Sequence, residues 1–200
     1  MFIAFEGPDK TGKSTSALEL DGARQPVYNI TKEKHLENVL HRKGESIADY
    51  MIPTSYDRID WMTHLVYRLA MPHREWNDPR VRTVFAMPET HLVFKVHHAM
   101  SVDLIEDELY EGRAQLAPVN EMYLQTAWFL MRMNSLQGFS LFKSISVVEV
   151  FNAPGQEFSQ KLRFHENASH RSGYYEKTLE RLAPNNIDLL GFLREQDRQL

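Results

Sequence analysis

Phe2-Ile3-Ala4-Phe5-Glu6-Gly7-Pro8-Asp9-Lys10-Thr11-Gly12-Lys13-Ser14-Thr15 is the stretch that decides the fold. It opens with a short apolar run, passes through a turn containing two glycines, and continues into good helix formers from Ser14 to Leu20, which is the order strand, loop, helix. Residues Gly7 to Ser14 match G-x-x-x-x-G-K-[ST] in full. With Gly near 7% of residues, such a match arises by chance in roughly one chain of this size in a hundred, and the flanking strand and helix are the context the pattern requires. The chemistry explains the residue types. Glycines let the backbone wrap an anion closely, and successive N–H groups with the helix N-terminus supply donors. Lys13 would neutralise charge on the β and γ phosphates of ATP, and the Ser14 hydroxyl would ligate Mg²⁺. Gly7, Asp9, Thr11, Gly12, Lys13, Ser14 and Thr15 are therefore the expected nucleotide-binding positions. The competing reading is a Gly-rich strand-to-helix turn that binds nothing.

Outward from this stretch, apolar runs alternate with helical patterns. Strands are expected at Pro26–Ile30, Met51–Tyr56, His91–Val96 and Ile145–Phe151. Helices are expected from Thr31, a capping residue, to about His41, over Ile59–Ala70 with Pro72 as the stop, over Asn120–Met133, at Gln156–Arg163 and at Tyr174–Leu182. The alternation favours an α/β fold, a single three-layer domain over residues 1–200 with about five parallel strands and helices on both faces. The chain has 200 residues, no Cys, 23 Lys and Arg against 27 Asp and Glu, and a net charge of −4. Thiol chemistry and disulfides are excluded, which suits a reducing cytoplasm. No apolar run reaches the ~18 residues of a membrane span, so no membrane association is expected. The acidic balance argues against a long nucleic-acid footprint while leaving a local anion pocket open.

No Asn-Lys-x-Asp segment supports a GTPase, and the chain is small for a motor, which leaves a compact kinase. The run Phe2 to Thr15 resembles the opening of thymidylate kinases, Phe-Ile-x-Phe-Glu-Gly-x-Asp-x-x-Gly-Lys-[ST]-Thr. Tyr56-Asp57-Arg58 with Tyr67 downstream is similar to that family's Asp-Arg-Tyr segment and its following Tyr-Gln. The likeness covers about the first third of the chain. More narrowly, the whole chain resembles deoxynucleoside monophosphate kinases of tailed phages of actinobacteria, through Tyr56 to Pro72.

The resemblance implies a P-loop NTPase fold and transfer of the ATP γ-phosphoryl group, with Mg²⁺, to a deoxynucleoside monophosphate such as dTMP, in the cytoplasm of a host cell if the chain is a phage's. It implies that Asp57 positions Mg²⁺ or assists the acceptor phosphate, that Arg58 clamps that phosphate, and that Glu6 holds the loop or orients the acceptor. It implies a lid at Ser101–Pro118. This lid is acidic (Asp103, Glu106, Asp107, Glu108, Glu111) and carries one base, Arg113, so Lys10, at a position where one thymidylate-kinase subtype has a basic residue, is assigned the transition-state charge with Arg113 second. Related kinases are commonly dimers, so a homodimer is expected.

The chain departs from the family in its Lys32–Pro53 segment, which is short and has no Phe, so no thymine-specific residue carries over. Trp61, His64, Tyr67 and Arg68 could instead wall an acceptor-base pocket, although Trp61 and Tyr67 also have the spacing of helix packing. Asn152 to Gln156 lies where related kinases contact adenine. His97-His98 with Asp103 matches no zinc spacing. Two other functions remain: a P-loop kinase of a hydroxymethylpyrimidine nucleotide or of that base in DNA, with Asp57 as base, and a non-catalytic regulatory nucleotide-binding module. The extension 167–200 carries an apolar cluster at Leu189, Leu190, Phe192 and Leu193 that would pack on the domain or on a second subunit.

Overall fold

The apolar opening forms β1 (Phe2–Glu6), buried at every position. Its side chains alternate between two cores as the pleat requires: Phe2 and Ala4 enter one, Ile3 and Phe5 the other. A strand buried on both faces belongs inside a sheet that helices cover on both sides. The computed structural model describes residues 1–20, 24–50, 52–76, 78–102, 105, 113–136, 140–152, 157–167 and 188–198. After β1 come α1 (Lys13–Glu19), β2 (Val27–Ile30), α2 (Lys32–Arg42), α3 (Ile47–Tyr50), β3 (Thr54–Ile59), α4 (Asp60–Ala70) and α5 (Asp78–Arg82). The chain continues through β4 (Met87–His97), α6 (Ala99–Val102), α7 (Arg113–Leu136), β5 (Phe142–Phe151), β6 (Ser159–Asn167) and α8 (Leu189–Arg198).

These strands form one six-stranded sheet in the order β2-β3-β1-β4-β5-β6. β1 to β5 run parallel, and β6 pairs antiparallel with β5. One face packs Met62 and Val66 of α4 with Leu116, Tyr123 and Leu130 of α7 against Phe2, Tyr56, Leu92 and Phe94. The other packs Ala17 of α1 and Leu193 of α8 against Ile3, Phe5, Val93, Val148 and Leu162. The architecture is thus a mostly parallel α/β sheet between helical layers, as the alternation of elements implies. Among the described residues no helix is long and apolar enough to cross a membrane.

Three sequence expectations need correction. The helix expected at Gln156–Arg163 is strand β6, starting at Ser159. Pairing with the open edge of β5 and burial of Leu162 override the local helix preference of the Gln-Lys-Leu-Arg run. The sheet accordingly has six strands rather than five. The long helix begins at Arg113 and runs through Pro118, so the last part of the expected lid is helical. Leu116 and Val119, both fully buried, anchor the turn around a proline that removes one backbone donor. On α4, Leu69 is 53% exposed, and the inward face is made by Trp61, Met62 and Val66. The acidic lid residues Asp103, Glu106, Asp107, Glu108 and Glu111 and the helix expected at Tyr174–Leu182 lie outside the described residues.

The strand order places β1 between β3 and β4, so the loop after β1 leaves the middle of the carboxyl edge, where open α/β sheets bind ligands. Gly7 is the point of closest approach. Its φ is +144°, and a Cβ there would lie 1.9 Å from the Lys95 carbonyl oxygen on β4. Gly7→Ala should therefore cost at least about 3 kcal/mol, since backbone must move, whereas Gly44→Ala, whose Cβ would meet nothing nearer than the His41 carbonyl at 4.0 Å, should be near neutral. Urea unfolding of both variants checks this, and equal stabilities would refute the contact.

Candidate functional site

Beyond Gly7 the chain turns through two left-handed residues, Lys10 (φ 60°) and Gly12 (φ 72°). Gly12 is the N-cap of α1. The loop closes on itself: Thr11 Oγ1 donates to the Pro8 carbonyl at 2.9 Å, and Lys13 Nζ donates to the same oxygen at 2.5 Å while lying 3.4 Å from Thr11 Oγ1. Lys13 is 4% exposed. Burial, reinforced by Arg58, pulls its ammonium down to about 8. An anion entering the loop would reverse that burden by giving the buried cation a partner.

β3 brings two groups to the loop. Register pairing sets Asp57 opposite Phe5, so its carboxylate reaches α1, where Ser14 Oγ donates to Asp57 Oδ2 at 2.5 Å. Asp57 Oδ1 is buried with no hydrogen-bond partner. A hydroxyl and a half-satisfied carboxylate are hard oxygen donors, which fits Mg²⁺ held by one or two protein groups, water and phosphate. That chemistry does not need a dense ligand cluster, and no group of three or more His, Asp or Glu able to hold a metal occurs among the described residues. The next residue, Arg58, is a left-handed position (φ 77°) whose guanidinium donates to Asp9 Oδ1. Tyr67 Oη donates to the other Asp9 oxygen at 3.0 Å. Burial works against the Arg58 charge, but Tyr123, Asp9, Tyr67 and Glu6 more than offset it and raise its pKa.

Arg58, Asp9 and Tyr67 form one wall of a cavity of about 380 Å³, completed by Asn29, Thr63, His64, Met71, Arg74 and Trp76. The volume is in the range of small-molecule sites, about 300–1,000 Å³. Trp76 and Tyr67 set aromatic surface 6.0 Å apart between centroids. His64 is oriented by the Asp60 carbonyl at Nδ1 (3.0 Å) and accepts from Arg80 at Nε2 (3.0 Å). Of the residues expected on the sequence to wall an acceptor pocket, Arg58, His64 and Tyr67 are brought together here. Trp61 is buried in the core and lines a separate cavity of about 210 Å³ with Phe85. Arg68 is exposed, does not line the 380 Å³ cavity and has other partners. Lys10 is exposed at the rim of the loop, Thr15 is exposed on α1, and the side chain of Arg113 lies outside the described part.

Asn29, Arg74 and Trp76 line the cavity without any motif to announce them. Lys95 on β4 was equally silent, although a lysine inside the apolar run His91-Leu-Val-Phe-Lys-Val96 is a signal in itself, because a buried charge needs a partner, and His97 drew notice only as a metal ligand whose spacing does not fit. His97 Nε2 meets the Asp9 carbonyl at 2.8 Å. His98 instead stacks on Phe151, with centroids 4.3 Å apart. Asn152 touches the loop, and the remaining residues of the expected adenine segment, 153–156, lie outside the described ones.

Glu6, the last residue of β1, bonds across to the start of α4. It accepts from the Ile59 N–H at 2.5 Å and from Thr63 Oγ1 at 3.1 Å, tying β1 to the junction of β3 and α4 beside Arg58. Burial pushes its carboxyl up to about 7, against lowering contributions from Arg58, the Ile59 N–H, Thr63 and Lys13. A carboxyl whose folded pKa exceeds its ordinary 4.5 adds stability that is complete below that value and is lost as pH rises through about 7. Relative to the native protein, Glu6→Gln should therefore gain up to about 3 kcal/mol between about pH 5 and about pH 8, at ~1.4 kcal/mol per unit of separation. Urea unfolding at both pH values measures it, and a pH-independent difference would remove the buried-carboxyl assignment.

No protein-family model matches this chain, and no curated protein matches it.

Proposed function

We propose that the protein is an ATP-dependent deoxynucleoside monophosphate kinase that transfers the γ-phosphoryl group of ATP to a nucleotide phosphate, dTMP being the first candidate. The observation that carries this reading is the juxtaposition of two anion-ready sites. The Gly7–Ser14 loop, with Lys13 inside it and the Ser14–Asp57 pair beside it, opens next to a nucleotide-sized cavity gated by Arg58. The loop after a central strand of a mostly parallel sheet between helical layers supports the P-loop reading. Cytoplasmic work among nucleotides suits the reaction, and a homodimer rests on the family resemblance.

Phosphoryl transfer asks a protein to align two anions and neutralise charge where it moves. In this reading Lys13 would bind the β and γ phosphates, and Ser14 and Asp57 would hold Mg²⁺, whose charge would offset that of the phosphates. Arg58, freed from Asp9, grips the acceptor phosphate, and Lys10 at the rim supplies charge to the transferring group. An acceptor phosphate is already a nucleophile and needs no base. A hydroxyl acceptor would need one, and the contact of Asp57 with Ser14 favours a metal role for that carboxylate.

Incubation of the protein with labelled ATP and each deoxy- and ribonucleoside monophosphate, with hydroxymethyluracil DNA alongside, tests the proposal. Transfer to one or a few free nucleotides is expected, and Lys13→Ala should reduce it by at least about a hundredfold, since a charge-assisted contact is worth ~1.5–3 kcal/mol before its role in the transition state is counted. Survival of full activity in that variant would end the P-loop assignment, and transfer to DNA alone would select the hydroxyl-acceptor enzyme. Arg58→Ala should lower kcat/KM for the acceptor by about a hundredfold or more while changing ATP affinity less than about threefold. Equal turnover in both proteins would remove Arg58 as the clamp.

A further inference from the structure

Three side chains that lie behind the loop have no place in that reaction scheme. Lys95 Nζ donates to the Gly12 carbonyl at 3.1 Å and to Ser16 Oγ at 2.7 Å, and the Phe158 ring covers it with its centroid at 5.5 Å. His97 Nε2 meets the Asp9 carbonyl at 2.8 Å, while its Nδ1 is buried without a partner, which makes Nε2 the protonated nitrogen and the donor. Asn152 Nδ2 donates to the Lys10 carbonyl at 3.1 Å. Lys95 and His97 are 1% and 2% exposed, on alternate positions of β4 that face the loop, and Asn152 follows β5.

The consequence follows from peptide geometry. In a trans peptide the C=O and the next residue's N–H lie in one plane and point in opposite directions, and the described chain has no cis bond. A donor that fixes the Asp9, Lys10 or Gly12 carbonyl from behind therefore turns the N–H of Lys10, Thr11 or Lys13 the other way, towards the loop's interior. Left unpinned, the left-handed Lys10 peptide and the Asp9 peptide before it could flip and present a carbonyl dipole to an anion, which is repulsive, while the Gly12 carbonyl, which also accepts from the Ser16 N–H at 3.0 Å, would lose one of two donors.

We propose that Lys95, His97 and Asn152 are positioning residues that hold three carbonyls of the loop outward and so preset its N–H groups for a polyphosphate. The inference rests on the phosphate-loop reading and extends it from the groups that would meet the phosphates to those that hold the loop from behind. It also accounts for a lysine buried in the middle of a parallel sheet. Replacing it by an apolar residue would remove its desolvation burden, but it would also leave the Gly12 carbonyl with one of its two donors, the Ser16 N–H at 3.0 Å.

The test is calorimetric titration of magnesium tripolyphosphate and, separately, of dTMP into the native protein and into Lys95→Met, Asn152→Ala, His97→Leu and His97→Gln. Tripolyphosphate affinity should fall about tenfold or more in His97→Leu and about threefold or more in Asn152→Ala and in Lys95→Met, where the Ser16 N–H still holds the Gly12 carbonyl, following the worth of buried and half-exposed hydrogen bonds. His97→Gln, whose amide N–H replaces Nε2–H, should stay within about threefold of the native protein. Affinity for dTMP should be unchanged in Lys95→Met and Asn152→Ala. Native-like tripolyphosphate binding in Asn152→Ala and His97→Leu would overturn the inference, as would parallel loss of both ligands in Asn152→Ala, which would mark general damage. If Lys95→Met does not fold, the half-exposed Asn152 and the His97 Leu/Gln pair still decide. A native protein that binds dTMP but no tripolyphosphate would overturn the phosphate-loop reading and this inference with it.

Discussion

β1 is apolar and buried on both faces, and nearly everything else in the molecule answers to that. A five-residue strand with no solvent face can exist only between two neighbours and under two layers of helix. Its C-terminal end then emerges at the centre of the sheet rather than at an edge. The loop that follows is flanked by β3 on one side and β4 on the other. Gly7 is the hinge of this arrangement, since the backbone of β4 occupies the space where any side chain would stand. The strand that builds the core is therefore the element that aims the loop.

Charge is organised around the same point. The chain is acidic overall, yet the carboxyl edge of the central strands gathers Lys13, Arg58 and Lys95, all largely buried, together with Glu6, Asp9 and Asp57. Each cation already has an oxygen partner: the Pro8 carbonyl for Lys13, the Asp9 carboxylate for Arg58, and the Gly12 carbonyl for Lys95. Such pairing is what keeps buried charge tolerable before any ligand arrives. It also sets the exchange that a phosphate would make. Lys13 and Arg58 face the loop interior and the cavity and can trade their partners for an anion. Lys95 faces the back of the loop and cannot. Net charge thus says little about this site, because sign and partner are decided over distances of a few ångströms in a weakly screened interior.

The sequence made the loop and its flanking strand and helix legible, because Gly7 to Ser14 is a local pattern with local causes. Asp57 and Arg58 were legible through resemblance, and register pairing of β3 with β1 explains why they reach the loop. Trp61 was misleading: its position on α4 turns it into the core, one side of the helix from Tyr67, which faces the cavity. Asn29, Arg74 and Trp76 come from segments that meet only after folding. Strand β6 escaped for a different reason, since its residues favour a helix in isolation and only the open edge of β5 makes a strand the better choice. Local chemistry can be read along the chain, whereas contacts set by sheet order cannot.

That division has a physical meaning for the site. Groups that would touch a ligand lie on the β1–α1 loop, on β2, at the end of β3, on α4 and just beyond it, all within residues 7–76. Groups that hold those parts in place come from β4 and from the end of β5, more than half the chain away in the case of Asn152. A loop built from glycines and left-handed residues has little intrinsic preference for one set of peptide orientations. Its conformation must be supplied from outside, by strands rigid enough to act as a template. The central position of β1 makes this supply available, since the loop after it has a neighbouring strand on each side. Burial of the first strand, closeness of β4 and the outward turn of the loop carbonyls are thus successive consequences of a single placement.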